Sequence, residues 1–331
     1  MITATGPGRV NLIGDHTDYS GGLVMPMAIN LSTVVQGEPG GEFVELHSSD
    51  EQEPAIVALD IEDPSTITPS WARYVAGVVS ELRPQQGFKG TVTTTLPIGA
   101  GLSSSAALEV AVALALGFDG TSLELAKLTQ RGEQRASGVP CGIMDQLSSA
   151  SGVDGSALMI DCHDLTVTAV EVPANCEIRV IHSGQARELA GSAYVDRFDD
   201  VTAAQVVLGP LRDITTLDAL SALDDERLLR RARHVVSENA RVRAFHDAFR
   251  RSDLVSAGRL MVQSHCSLRD DFDVSTPVLD ELVERLCATD GVYGARLTGA
   301  GFGGCVVALC QPGAIDEGWH VTPSSGAHVN S

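Results

Sequence analysis

Four ionisable side chains, Arg9, Asp15, His16 and Asp18, fall within ten residues of one another, and Gly8, Gly14, Gly21 and Gly22 border them. Carboxylates and an imidazole in such proximity can each accept or donate a hydrogen bond to a hydroxyl, which suits a polyhydroxylated ligand. The plainer alternative is a solvated polar turn before the apolar run Leu23 to Ile29. A second cluster, Gly99-Ala100-Gly101-Leu102-Ser103-Ser104-Ser105, runs straight into the helix-forming apolar segment Ala106 to Leu116. Glycines let a backbone approach something bulky, and the unpaired amides at a helix start sit at the positive end of its dipole, a natural seat for phosphate. No Gly-Lys-Ser/Thr follows, so this is not a Walker A loop. A simple capping loop is the competing reading.

A third cluster is Pro140-Cys141-Gly142-Ile143-Met144-Asp145-Gln146. A carboxylate flanked by Ile143, Met144 and Leu147 is expected to be partly buried and to need a cation to stay ionised, with Arg9 as the candidate. The alternative is an exposed aspartate at a helix start. Glu133, twelve residues earlier, reads either as a magnesium ligand or as an ordinary solvated helix glutamate, and local pattern favours the second. In Leu297-Thr298-Gly299-Ala300-Gly301-Phe302-Gly303-Gly304-Cys305, four glycines between apolar runs imply a tight turn or a close backbone approach to a ligand.

The elements that must position these residues alternate in character. The β-branched run Gly90 to Leu96 reads as a strand closed by Pro97, and residues 122–137 read as a helix with Ser122 at its N-cap. Ala157 to Cys162 and Ile178 to His182 read as strands. Residues 223–251 are helical in pattern, with Val235, Val236, Val242 and Phe245 on one stripe, and Leu297 to Leu309 reads as strand, glycine turn, strand. Strands with segregated helices and no strict βαβ alternation predict an α+β architecture. A boundary near Pro173 would divide the chain into 1–172 and 173–331.

The chain has 331 residues, of which 44% are hydrophobic, enough for two packed domains. Its 43 acidic and 23 basic residues give a formal charge of −20, which argues against nucleic acid or an anionic membrane as the main partner. Seven cysteines without regular spacing fit a reducing compartment. The N-terminus carries no signal-peptide pattern, and the longest apolar stretch is too short to span a bilayer, so a cytoplasmic location is expected. The sequence sets no oligomeric state; a monomer is the simplest expectation.

Together the clusters resemble the galactokinase family, within the superfamily of galactokinase, homoserine, mevalonate and phosphomevalonate kinases (GHMP kinases). Gly8 to Gly22 is similar to the signature Gly-Arg-x-Asn-Leu-Ile-Gly-Glu-His-Thr-Asp-Tyr-Asn-Gly-Gly. The glycine-serine loop matches the nucleotide motif and Thr298 to Cys305 the third motif. The likeness continues through Leu158 to Cys162, Gly191 to Tyr194, Arg233 to Val235, Glu238 to Arg241 and Ser264 to Asp271. It implies a two-domain GHMP kinase fold: an N-terminal domain like the second domain of ribosomal protein S5, then a ferredoxin-like C-terminal domain. It also implies transfer of the γ-phosphoryl group of ATP to the anomeric hydroxyl of D-galactose. By position, Asp145 corresponds to the catalytic base and Arg9 to its partner. Asp15, His16, Thr17, Asp18, Gly142 and Tyr194 fall at sugar-contacting positions. Gly99 to Ser105 is the ATP phosphate loop, and Ser105 with Glu133 would hold Mg²⁺.

Several positions depart from that family pattern. Asp15 stands for the usual glutamate, which predicts a carboxylate set back by roughly 1–1.5 Å and looser selection at the hydroxymethyl end of the sugar. Ser20 and His163 replace asparagine and arginine, and Arg197-Phe198-Asp199-Asp200 replaces a double arginine. Much of the usual final helix and strand after Leu309 is expected to be missing. Two other functions remain open at this level: a kinase for N-acetylgalactosamine or another galactose-like sugar, and a non-catalytic sugar sensor.

Overall fold

A computed structural model of the chain describes residues 1–97, 99–185 and 190–330. The elements run β1 (Ile2–Asn11), β2 (Leu23–Val24), β3 (Pro26–Pro39), β4 (Phe43–Ser48), β5 (Ala55–Ala58), α1 (Ala72–Leu82), β6 (Phe88–Thr94), α2 (Ser104–Ala115), α3 (Ser122–Ser137) and α4 (Met144–Ser151). There follow β7 (Ser156–Asp161), β8 (Thr166–Glu171), β9 (Glu177–His182), α5 (Ala190–Leu208), α6 (Glu226–Arg250), α7 (Leu254–Asp270), α8 (Pro277–Cys287), β10 (Val292–Thr298), β11 (Cys305–Cys310), β12 (Trp319–Val321) and β13 (His328–Asn330).

Three sheets organise them. The first has six strands in the order β13-β1-β3-β6-β4-β5, antiparallel except where β4 runs parallel to β6. Helices α1 to α4 cover it and bury Val35, Val44, Leu46, Val75, Val79, Phe88 and Val110 in one core. β1 and α2 approach closely: a Cβ added at Gly6 would lie 2.2 Å from the Ala107 carbonyl oxygen. That spacing, available only to glycine, brings the strand carrying Arg9 against the helix carrying Ser105. A second sheet, β10-β11-β9-β12, is wholly antiparallel. With β9 as its first strand in sequence, its strands lie in the order 2-3-1-4. Its two faces belong to different cores, one with α5 to α8 (Leu268, Phe272, Leu297, Val306) and one shared with the first half of the chain (Val10, Met25, Ile178, Val180, Phe245, Met261). The small sheet β2-β7-β8 hangs from the turn of the sugar-type signature.

The α+β architecture expected from the sequence is therefore present, with local differences. α3 is capped by Thr121, not Ser122: Thr121 accepts the Glu124 amide while the Glu124 carboxylate accepts the Thr121 amide, a reciprocal box. The run Leu23 to Ile29 breaks into β2 and the start of β3. After β11 no helix precedes the next strand, but a three-residue strand, β12, is retained and pairs with β9. The chain then leaves that sheet, and β13 pairs with β1.

Candidate active site

Arg9, on β1, is 5% exposed and turns toward the start of α4. Its Nε lies 2.8 Å from Asp145 Oδ1 and its Nη2 lies 2.9 Å from Oδ2, while Nη1 donates to the Gly101 carbonyl at 2.8 Å. A paired fork of this kind holds a carboxylate in one orientation. Ser103, whose φ of 59° puts it in the left-handed region, adds a short hydrogen bond to Asp145 Oδ2. Three donors thus converge on Asp145, and Arg9 Nη2 also lies 2.7 Å from Oδ1. Arg9 ties the base candidate and the glycine-serine loop together, as the buried-carboxylate argument expected.

The loop alternates. Gly99, Gly101, Ser103, Ser104 and Ser105 line a cavity of about 560 Å³, together with Arg9, Glu133, Asp145, His182 and Gly184. Ala100 and Leu102 instead point into the core, 0% and 1% exposed, so they anchor the loop and their side chains stay out of the cavity. His182 and Gly184 were not singled out in the sequence because no motif surrounds them.

Glu133 is not a solvated helix residue. It accepts from Ser105 Oγ at 2.8 Å, from Cys141 Sγ at 3.8 Å and from Gln146 in a short contact. Burial, and then the charge of Asp145, raise its pKa. Behind it the fully buried Glu109 shares the Gln146 amide, and burial with the nearby Glu133 holds its carboxyl well above the usual range. A serine hydroxyl and a carboxylate on the wall of this cavity are the hard oxygen ligands that Mg²⁺ takes while keeping waters and phosphate oxygens for its other positions. Among the described residues no set of three or more His, Cys, Asp or Glu gathers as an all-protein metal cage.

A second cavity, about 330 Å³, lies on the other side of Asp145 and is lined by Arg9, Asp15, His16, Asp18, Gly142, Tyr194, Gly299 and Ala300 among others. A Cβ at Gly142 would come within 1.8 Å of Asp18 Oδ2, so any side chain here would have to displace the Asp18 carboxylate. Burial, then the charge of Asp145, push Asp18 up to about 7. His16 packs at a tilt against Phe272 and Tyr194 with ring centroids 4.7 and 5.6 Å away, and burial lowers its pKa to about 3, so it is a neutral imidazole. Its two ring nitrogens lie 3.2 Å from Tyr19 Oη and from the Ala300 carbonyl.

Thr17 is a correction to the sequence reading. It is fully buried, and its hydroxyl sits 2.9 Å from the Gly14 carbonyl and 2.7 Å from that of Leu23, so it closes the loop from behind and does not face the cavity. The loop is also held by α6, whose residues 234, 238 and 239 share one helical face. Glu238 accepts the Gly14 amide at 3.0 Å, Asn239 accepts the Leu23 amide at 2.8 Å, and His234 Nε2 lies 3.1 Å from the Asp15 carbonyl. Burial would raise Glu238, but Arg241 and its other neighbours hold it at about 2, an anion at all working pH values.

A third cavity, about 500 Å³, opens beyond Ser104 and Ser105 and has Trp71, Tyr74, Leu96 and Leu108 in its walls. No motif in the sequence marks it.

The comparisons with known proteins agree with this geometry. Residues 2–39 match the model described as galactokinase galactose-binding signature, residues 73–153 that of the GHMP kinases N terminal domain, and residues 245–321 that of the GHMP kinases C terminal. The chain is 42% identical over 333 residues to galactokinase of Homo sapiens, covering 95% of this chain and 84% of that protein. The chain belongs to the galactokinase family. Galactokinase of Roseiflexus sp. (strain RS-1) is likewise 42% identical, covering 96% of this chain and 86% of its own length. Among solved structures, Lactococcus lactis galactokinase complexed with galactose superposes with a TM-score of 0.91 at 30% identity, over 99% of this chain and 94% of that one. L. major mevalonate kinase, at 20% identity and a TM-score of 0.68 over 98% and 96% of the two chains, shares the fold. The two-domain α+β fold of the GHMP kinases is thereby established for this family member.

Against the family pattern, Arg197 is spent on structure. It donates to the carbonyls of Phe272 and Asp273, both at 2.8 Å, and stacks over Phe302. Among the described residues no helix is long and apolar enough to cross a membrane.

Proposed function

We propose that this chain transfers the γ-phosphoryl group of ATP to the anomeric hydroxyl of D-galactose, giving galactose 1-phosphate. One observation carries the reading. Three cavities adjoin: Arg9, Glu133 and Asp145 belong to the walls of both the glycine-serine loop cavity and the cavity beyond Asp145, Ser104 and Ser105 to both the loop cavity and the one walled by Trp71, and Tyr74 and Ser137 to both of those outer cavities. A sugar, a triphosphate and a base fit three such neighbouring cavities, with the acceptor hydroxyl and the γ-phosphate meeting at Asp145, which borders both the sugar cavity and the loop cavity.

In this arrangement the Asp145 carboxylate accepts the anomeric proton as the new O–P bond forms and the bond to ADP breaks. Arg9 holds the carboxylate in one orientation and faces the phosphate cavity, where it offsets transition-state charge. The backbone of Gly99 to Gly101 and the first amides of α2 cradle phosphate oxygens. Asp18, neutral His16, Tyr194 and the flat wall at Gly142 orient the sugar. Ser105 and Glu133 would hold Mg²⁺, which when bound neutralises phosphate charge. Trp71 and Tyr74 supply aromatic walls for the base. We place the reaction in the cytoplasm, since all seven cysteines are free thiols, and take the functional units to divide near Pro173.

The test is ADP release across a panel of hexoses, with the product identified by phosphorus NMR. Turnover with galactose and a 1-phosphate product is expected. Turnover with another hexose but not galactose, or none at all, would overturn the reading.

A further inference from the structure

Arg296 lies in the middle of β10, 0% exposed, in the run Gly-Ala-Arg-Leu-Thr where its neighbours are core residues. Its Nη2 makes a short contact to Asp15 Oδ2 and its Nη1 reaches the Asn11 carbonyl at 3.3 Å, while its Nε has no hydrogen-bond partner among the described residues. A buried guanidinium left partly unsatisfied is a poor stabiliser, because desolvation of both charges offsets much of their attraction. Its presence calls for a reason other than stability.

The reason is visible at Asp15. Oδ2 accepts from Arg296 and from Asn11 Nδ2 at 3.0 Å, and so has no lone pair left. Among the described residues Oδ1 accepts only the Gly299 amide, at 2.9 Å. One acceptor position therefore remains on a side chain that lines the sugar cavity. The carboxylate cannot swivel to offer more, because its other three positions are held from two strands and the glycine turn.

We propose that Arg296 is a specificity-positioning residue: by occupying Asp15 Oδ2 it aims a single Oδ1 lone pair at a single sugar hydroxyl. The proposal rests on the galactose reading of the cavity, and the experiment separates the two. Galactose turnover by the native chain is measured first; its absence counts against the function, whereas every result below counts for or against Arg296.

The measurement is kcat/KM for galactose and for its 2-, 3-, 4- and 6-deoxy analogues. In the native chain one deletion is expected to cost about 10–100-fold more than unaided loss of contact, the range for a hydrogen bond to a charged group. Arg296→Lys keeps the charge but replaces the planar fork by one ammonium that cannot serve Asp15 and Asn11 together. That variant should raise the galactose KM about 10-fold, leave kcat and the ATP KM within about 3-fold, and shrink the penalty for that one deoxy sugar alone. Asp15→Asn should shrink the same penalty, and the double variant should add little to either single one. A merely structural arginine would lower activity toward all five sugars together. Should Arg296→Lys fail to fold, Asn11→Ala removes a different donor from the same Oδ2 and is expected to relax the same discrimination in part. An unchanged deoxy-sugar profile in a folded Arg296→Lys or Asn11→Ala chain overturns the assignment, as does a uniform loss.

Discussion

The substitution Asp145→Asn tests the centre of the site most directly. Three donors now converge on this carboxylate, two from Arg9 and one from Ser103. The amide that replaces it offers one acceptor oxygen and two N–H groups, so whichever way it turns, a donor faces a donor and the anomeric hydroxyl loses its base. Loss of general-base catalysis alone is worth about 10²–10⁴ in kcat, or roughly 2.7–5.5 kcal/mol of barrier. The lower part of that range is expected, because Arg9, the α2 amides and the metal-ligand pair stay in place and phosphoryl transfer depends mainly on positioning and charge. Stability should fall by only about 1–3 kcal/mol: the Asp145 side chain is 28% exposed, and Arg9 keeps its bond to the Gly101 carbonyl. The assay is coupled ADP release at saturating galactose, ATP and magnesium, with thermal unfolding run alongside. A folded variant whose kcat lies within about threefold of the parent would refute the role of Asp145 as base.

Glu133→Gln should weaken the use of magnesium, since an amide oxygen is a poorer ligand for this cation than a carboxylate, so activity recovers in part as magnesium is raised while the galactose KM hardly moves; a normal magnesium titration would refute it. With Asp18 near 7, kcat/KM for galactose should rise between about pH 6 and 8 as the carboxylate ionises and accepts a sugar hydroxyl, and Asp18→Asn should flatten that inflection. The sign for stability is opposite, because the raised group favours the folded state most below its unfolded value of 3.8 and loses that contribution as the pH rises through about 7. Gly142→Ala should raise the galactose KM about tenfold or more with little change in the ATP KM, because the new methyl must displace Asp18; an unchanged sugar KM would mean that Asp18 does not touch the sugar.

Much of this site was legible from residue types. A carboxylate among Ile143, Met144 and Leu147 needs a cation, and the pairing of Asp145 with Arg9 followed from that need even though 136 positions separate them. Chain pattern could not say which members of a polar loop face inward. Thr17 and Asp18 are adjacent, yet one hydroxyl is consumed by two backbone carbonyls while the other side chain enters the cavity. The shorter side chain of Asp15 was legible as a difference from the family pattern, but its hold by Asn11, Gly299 and Arg296 was not. Arg296 itself carries no local signal, for a lone arginine in an apolar strand is unreadable without its partner 281 positions away. The Thr121 cap could have been found, because Thr121-x-x-Glu124 is the spacing of a capping box. The third cavity could not, since its walls come from strands and helices with no shared spacing.

The pairing of β13 with β1 bears on how the molecule comes to exist. Thr3 lies opposite Asn330, and the Ala327 amide donates to the Ser149 carbonyl at the far end of the helix that begins beside Asp145. During synthesis the outer edge of β1 therefore stays open until residues 328–330 have cleared the ribosome, long after Arg9 itself has emerged. A strand with unmet amides and carbonyls is a template for other chains. Chains that lack residues 328–330 should thus associate with one another or be held by chaperones, while chains that carry them close the edge on themselves.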